Sequence, residues 1–208
     1  MDEPGQSAAQ PELDGLAREK RMEKNMNGMI KTFAAIGVLL GAGFFHGPVM
    51  AADAATADEA VAKVQAAARY LQGKGASGYA DFNNASGRWV WKDSYVFVFD
   101  CRQDRMVAHP LRPDLVGRPI MQITDNAGKY IFKELCKVGA GQGGWVEYAW
   151  QKPGAGALSR KITYTLAADV SFASGIQVGA GIYDDKITMA ELAKVVEKIT
   201  DPTKYPAH

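Results

Sequence analysis

The 208-residue chain is poor in the residues and motifs that most often carry catalysis. It has two cysteines, Cys101 and Cys136, and three histidines, His46, His109 and His208. No Cys-x-x-Cys pair is present, so dithiol redox chemistry has no seat in the sequence. Cysteine and histidine spacings of the zinc-site kind are missing too. Gly-x-Ser-x-Gly and His-Glu-x-x-His are absent, which removes the local signatures of serine hydrolases and zinc peptidases. Charge is balanced, with 24 Lys and Arg against 23 Asp and Glu and a net charge of +1. Such a balance gives no support for nucleic-acid binding, and no run of like charge is long enough to act as a tail. Gly139–Gly144 is glycine-rich, but it leads into a strand pattern, whereas a phosphate cradle leads into a helix N-terminus. No cofactor and no metal are expected.

Long apolar runs are equally scarce. The longest, residues 32–45, follows Lys24 and Lys31 and is shorter than the roughly 20 residues that span a bilayer. Pro48 breaks it, and Val49-Met50-Ala51 offers a cut before Ala52. A basic lead, a short apolar stretch and a small residue at the cut read as a secretory signal peptide, with a retained N-terminal anchor as the competing reading. The acidic stretch ahead of it (Asp2, Glu3, Glu12, Asp14 and Glu19) is unusual for such a lead, and a start at Met22, Met26 or Met29 would remove it. The expectation is therefore an extension plus cleaved signal peptide over 1–51 and a single domain over 52–208, released into the periplasm. That length supports one domain with its own core. In an exported chain an even pair of cysteines reads as a disulfide, here Cys101 with Cys136. Closing that loop is worth about 3–4 kcal/mol in the chain-entropy model, and two separate buried thiols are the alternative.

Several segments carry clear periodicity. Ala52–Gln72 places Val61, Val64, Ala68 and Leu71 at helical spacing, with Thr56 and Glu59 forming a capping box and Gly73 and Gly75 ending the run. Ser94–Asp100, Trp145–Trp150, Ser159–Ala168 and Gly175–Tyr183 alternate as strands, with shorter candidates at Arg88–Trp91 and Met106–His109. Ser77–Gly87 reads as a loop. Asp125-Asn126-Ala127-Gly128 reads as a turn opening a helix that runs to Val138, and Thr188–Ile199 as a closing helix. About five antiparallel strands with flanking helices make an α+β domain.

The motifs fall in a definite order: Tyr95-x-Phe97-x-x-Asp100, Ala108-His109-Pro110, Asp125-x-x-Gly128, Gly144-Trp145-Val146-x-Tyr148-x-Trp150, Lys161-Ile162-x-Tyr164 and Gly181-x-Tyr183. This order resembles the Cache family of extracytoplasmic sensor domains, in its single-Cache type 2 form, over most of Thr56–Tyr183. The resemblance implies a PAS-like central antiparallel sheet with a long N-terminal helix and a connection capping a pocket. It also implies small-molecule binding rather than catalysis, with a short organic acid such as pyruvate, lactate or acetate as the family-level ligand. Output would pass through a membrane receptor or kinase.

Alternation within the strands nominates the site. Tyr95, Phe97 and Phe99 share one face, Val146, Tyr148 and Trp150 another, while Ile162, Tyr164 and Leu166 oppose Lys161, Thr163 and Thr165. Tyrosine and tryptophan rings suit a half-polar pocket; any single ring reads first as core, and the set as a whole reads as a pocket. The expected ligand-binding residues are Tyr95, Phe97, His109, Tyr148, Trp150, Lys161 and Tyr164. Lys161 and Arg118 are candidate partners for a carboxylate. Asp125 could meet a ligand amine or simply hold its turn. Two other readings stand beside the sensor: a ligand-free subunit that docks on a membrane receptor, and a hydrolase using His109 or Asp125.

Overall fold

The computed structural model describes residues 53–171 and 173–199; the expected signal peptide lies outside them. Helix α1 spans Ala57–Lys74. Thr56 caps it: its side chain accepts from the Glu59 N–H, and the Glu59 carboxylate accepts from the Thr56 N–H, which satisfies two otherwise orphaned donors. Gly75, at φ 62, ends it. Ala57, Ala60, Val61, Val64, Ala67, Ala68 and Leu71 form its buried stripe. The stretch read as loop after it begins with a 3₁₀ run, Gly75–Asn83.

Among the described residues six strands follow, where the sequence suggests about five: β1 Val90–Trp91, β2 Ser94–Asp100, β3 Arg105–Ala108, β4 Gly144–Gln151, β5 Leu158–Ala167 and β6 Ile176–Ile182. The sheet is antiparallel in the order β1-β2-β6-β5-β4, and β3 pairs with the far end of β2. Helix α2 covers Ile131–Gly139 and α3 covers Met189–Ile199. The start of α2 is later than the sequence suggests. Asp125 Oδ1 accepts from the N–H groups of Ala127 and Lys129, so the Asp125–Lys129 segment is spent on a turn.

Strand alternation divides the core in two. One face, with Val96, Val98, Ile162, Tyr164, Val178 and Ala180, packs on α1 and on Leu192 of α3. The other, with Tyr95, Phe97, Phe99, Val146 and Tyr148, is covered by Ile131, Phe132 and Leu135 of α2 and by Ile120. Cys101 and Cys136 form a disulfide, Cα to Cα 5.8 Å, which fixes α2 beside the end of β2. Asp104 accepts from the N–H groups of Ile120 and Met121, both at 2.7 Å, and anchors the connection that runs over this second face.

Candidate functional site

At the centre of the second face lies a buried lysine. Lys161 of β5 is 2% exposed, and its ammonium donates to the Tyr95 hydroxyl at 2.9 Å. Tyr95 belongs to β2, and β6 lies between these two strands. The side chain therefore crosses a whole strand, a separation of about 4.8 Å per strand step. Gly181 of β6 makes that crossing possible: a Cβ there would stand 2.3 Å from Lys161 Cε. Gly179 does the same for Phe97, whose ring tip would be 2.8 Å from an added Cβ. The alternating set Gln177, Gly179, Gly181, Tyr183 thus leaves a trough in the middle of the sheet, and Lys161 lies in it.

Aromatic rings surround the ammonium. Its nitrogen is 4.2 Å from the centroid of Tyr95, 5.3 Å from Phe97 and 5.4 Å from Tyr183. The ring faces supply some compensation for lost water, but no carboxylate among the described residues pairs with Lys161. Burial lowers the lysine pKa, and Tyr95 offsets part of that. An ammonium has three donors, and Tyr95 occupies one.

His109 lies against the same group, 2% exposed, its ring centroid 4.8 Å from that of Tyr95. Its Nδ1 accepts from the backbone N–H groups of Leu111 at 3.3 Å and Arg112 at 3.0 Å. Burial first, then the charges of Lys161 and Arg112, push its pKa down to about 3. The ring is neutral, and with Nδ1 accepting, its proton sits on Nε2. That N–H has no protein acceptor among the described residues. The Tyr148 hydroxyl shares a hydrogen bond with Thr163 Oγ1 at 2.8 Å, and burial holds its phenol far above the ordinary pKa. Trp150, half-buried, meets Tyr148 edge to face at 6.2 Å.

Tyr95, Phe97, His109, Tyr148, Trp150 and Lys161 line one inner cavity of about 10 Å³, with Ile131 and Phe132 of α2 as its roof. Tyr164 is the exception among the expected residues. It lies on the opposite face, 1% exposed, packed at 5.3 Å against Trp145, because residues three apart on a strand cannot share a face with Lys161. Arg118 is exposed and lies outside the cavity. Asp125 holds its turn and reaches the Ala149 N–H, and these backbone hydrogen bonds keep its carboxyl below the usual range.

A second, larger cavity of about 360 Å³ adjoins the first and shares Tyr95 and Trp150 with it. Its other walls are Leu111, Arg112 and the turn from Gln151 to Ala155. Arg112 is held by Asp114 through two hydrogen bonds, at 2.8 and 2.7 Å. Lys152 is held at 2.9 Å by Asp93, a buried carboxylate whose other oxygen accepts from the Ala55 N–H at 2.7 Å just ahead of α1. Arg112, Lys152 and Asp93 escape a reading of the sequence, and Gly181 and Tyr183 enter it only as a motif of the resemblance, not as site residues. Only the glycine alternation before Tyr183 carries a signal, and it marks space rather than chemistry.

A PAS-like sheet with a long leading helix, and a donor-rich, acid-free cavity beneath a capping segment, define the class: a ligand-sensing domain of the Cache kind. The family model for single Cache domain 2 matches residues 49–198, and the chain belongs to that family. Family and fold are those of sensor domains rather than enzymes. The sensor histidine kinase MctS of Rhizobium johnstonii is 31% identical over 96 residues, which are 46% of this chain and 20% of that kinase. The chain thus matches about a fifth of its curated relative. Among solved structures, a Cache chemosensory domain described for its carboxylic acid recognition is 27% identical, with a TM-score of 0.51, over 62% of this chain and 93% of that one. A methyl-accepting chemotaxis protein from Vibrio parahaemolyticus matches in fold, at 23% identity and a TM-score of 0.50, over 62% of this chain and 85% of its own. No helix among the described residues is long and apolar enough to cross a membrane.

Proposed function

We propose that this protein is a periplasmic sensor of small carboxylates that hands its signal to a membrane receptor or kinase. The observation that carries the reading is the buried Lys161 ammonium, which has no carboxylate partner among the described residues and sits beside the unpartnered Nε2–H of His109. Desolvating a charge costs several kcal/mol unless it is paired, and a ligand carboxylate is the missing partner. The solved Cache domain known for carboxylic acid recognition supports the same chemistry. Tyr95, Phe97, Tyr148 and Trp150 supply the walls, and the Lys161 and His109 donors orient the anion.

A second reading, a ligand-free docking subunit, draws on the inner cavity, whose 10 Å³ holds about one water. A closed aromatic core would suit such a role, but a costly buried cation would serve no purpose there. A thermal-shift panel of acetate, propionate, pyruvate and lactate against amino acids and amines separates the two. A ligand that binds only the folded state raises the melting temperature. The sensor reading expects a saturable shift from acids, lost in Lys161→Met. Silence across the panel, with capture of the protein by a receptor fraction, would favour the docking subunit.

A further inference from the structure

We infer that Asp93 latches the Gln151–Ala155 turn of the outer cavity to the chain entering α1, so that a shift of this turn is passed to the lead Ala54–Thr56. The coupling holds whatever ligand the cavities take.

Asp93 lies in the tight turn between β1 and β2 and is 4% exposed. Its two carboxylate oxygens serve two segments that are far apart in the chain. One accepts from the Ala55 N–H at 2.7 Å, and the other pairs with the Lys152 ammonium at 2.9 Å. Lys92 beside it has φ 48, a left-handed conformation that is costly for a residue with a side chain. That strained turn holds the lead a second time: Lys92 Nζ pairs with Glu59 at 2.8 Å and donates to the Ala54 carbonyl at 3.4 Å. The far side of the latch is braced as one unit. The Ala155 N–H donates to the Lys152 carbonyl at 2.9 Å, the Gln151 side chain to the Ala155 carbonyl at 2.7 Å, and the Tyr183 hydroxyl to the Gln151 carbonyl at 3.0 Å. This unit forms one wall of the 360 Å³ cavity.

Charge makes the latch two-ended. A buried carboxylate needs a counter-charge as well as hydrogen-bond donors. When the turn carries Lys152 away, Asp93 keeps its charge and loses its cation. Water is then the remaining way to stabilise it, and the lead is what covers it: Ala55 is 8% exposed and lies against the carboxylate. Lifting the lead admits water. By linkage the same free energy acts in reverse, so a lead drawn off Asp93 weakens the hold on the turn and reshapes the cavity. Helix α2 is anchored elsewhere, by the Cys101–Cys136 disulfide and by Gln177, which donates to the Cys136 carbonyl at 2.9 Å.

Backbone amide relaxation, measured by nuclear magnetic resonance on the folded protein, tests the latch. Its order parameters report the native state, about 0.85 for a rigid amide and below about 0.6 for a flexible one. Lys152→Met should drop Ala54, Ala55 and Thr56 into the flexible range while α2 stays rigid. Asp93→Asn keeps an oxygen for the Ala55 N–H and removes the charge, so the lead should stay rigid while Lys152 and Ala155 loosen. With both changes together, the loss of the lysine should no longer be felt at the lead. Tyr183→Phe removes one support of the turn without stranding a charge, and it should loosen turn and lead together; it carries the test if Lys152→Met does not fold. A lead that stays rigid when the turn loosens in Lys152→Met or Tyr183→Phe would overturn the latch. Loosening that persists in the double variant, or spreads to α2, would overturn it too and leave Asp93 a purely structural support.

Discussion

Lys161→Met should abolish acid binding and leave the ligand-free protein about as stable as before. Methionine keeps the length of the stem that lies across Gly181 and removes the charge. Three terms compete. The hydrogen bond to Tyr95 is lost, worth about 1.5–3 kcal/mol for a charged donor. The ring contacts to Tyr95, Phe97 and Tyr183 weaken, by about 0.5–2 kcal/mol. Against these, the desolvation of an ammonium that has no acid partner disappears, and that penalty is several kcal/mol. The two losses sum to about 2–5 kcal/mol and the relieved penalty offsets them, so the balance lies within about 2 kcal/mol of zero, a change of at most roughly 8 °C at 2–4 °C per kcal/mol. Differential scanning calorimetry without ligand measures it. The pH dependence supplies a second check. The folded lysine has a lowered pKa, so the unfolded chain binds more protons, and wild-type stability rises as pH climbs from that lowered value towards the ordinary lysine range. Lys161→Met should remove that rise. A loss of more than about 2 kcal/mol in the variant would show that the lysine holds the fold together, and would refute the argument that its charge is kept for a ligand.

The remaining predictions concern the supports of the site. His109 takes a proton in the folded state only near pH 3, against 6.5 when free, so stability should fall by a few kcal/mol as pH drops across that window. His109→Gln should flatten the fall, as read by denaturant titration at several pH values. Gly181→Ala sets a methyl against the Lys161 stem and should weaken acid binding at least tenfold by calorimetry, with the circular dichroism spectrum unchanged. At the Asp93–Lys152 pair the two truncations should differ. Lys152→Met strands a buried carboxylate, costing about 3–5 kcal/mol, whereas Asp93→Ala returns a part-exposed lysine to water and costs about 1–3 kcal/mol in chemical denaturation. Reduction of Cys101–Cys136, with 35 residues of separation, should cost about 4 kcal/mol in the chain-entropy model, seen as a lower melting temperature in reducing buffer.

Local physics made much of the fold legible. The capping box at Thr56 and Glu59, the glycine stop at Gly75 and the alternation in Ser94–Asp100 each act within a few residues, and the sequence states them directly. The later start of α2 was less accessible, because Asp125 can serve a helix cap or a turn and only its partners decide. The two-residue β1 pairs at Val90 and Trp91, too short for any alternation to register. Within the site, Tyr95, Phe97, Tyr148 and Trp150 follow from strand parity. Tyr164 breaks that parity with Lys161, so the Lys-Ile-x-Tyr motif joins residues from two different faces. The reach of Lys161 over β6 was hidden. It depends on the strand order β2-β6-β5, which brings Gly181 beneath a side chain from a different strand. Arg112 and Lys152 were hidden for the same reason: their meaning comes from Asp114, Asp93 and the two cavities, not from their own neighbours in the chain.

The central claim is that a buried cation waits for an acid. Calorimetric titration with butyrate and with butyramide, an uncharged analogue of nearly the same shape, tests it most directly. The account predicts saturable binding of butyrate, none of butyramide at the same concentrations, and loss of the butyrate heat in Lys161→Met. Equal binding of acid and amide, or butyrate binding that survives Lys161→Met, would contradict it.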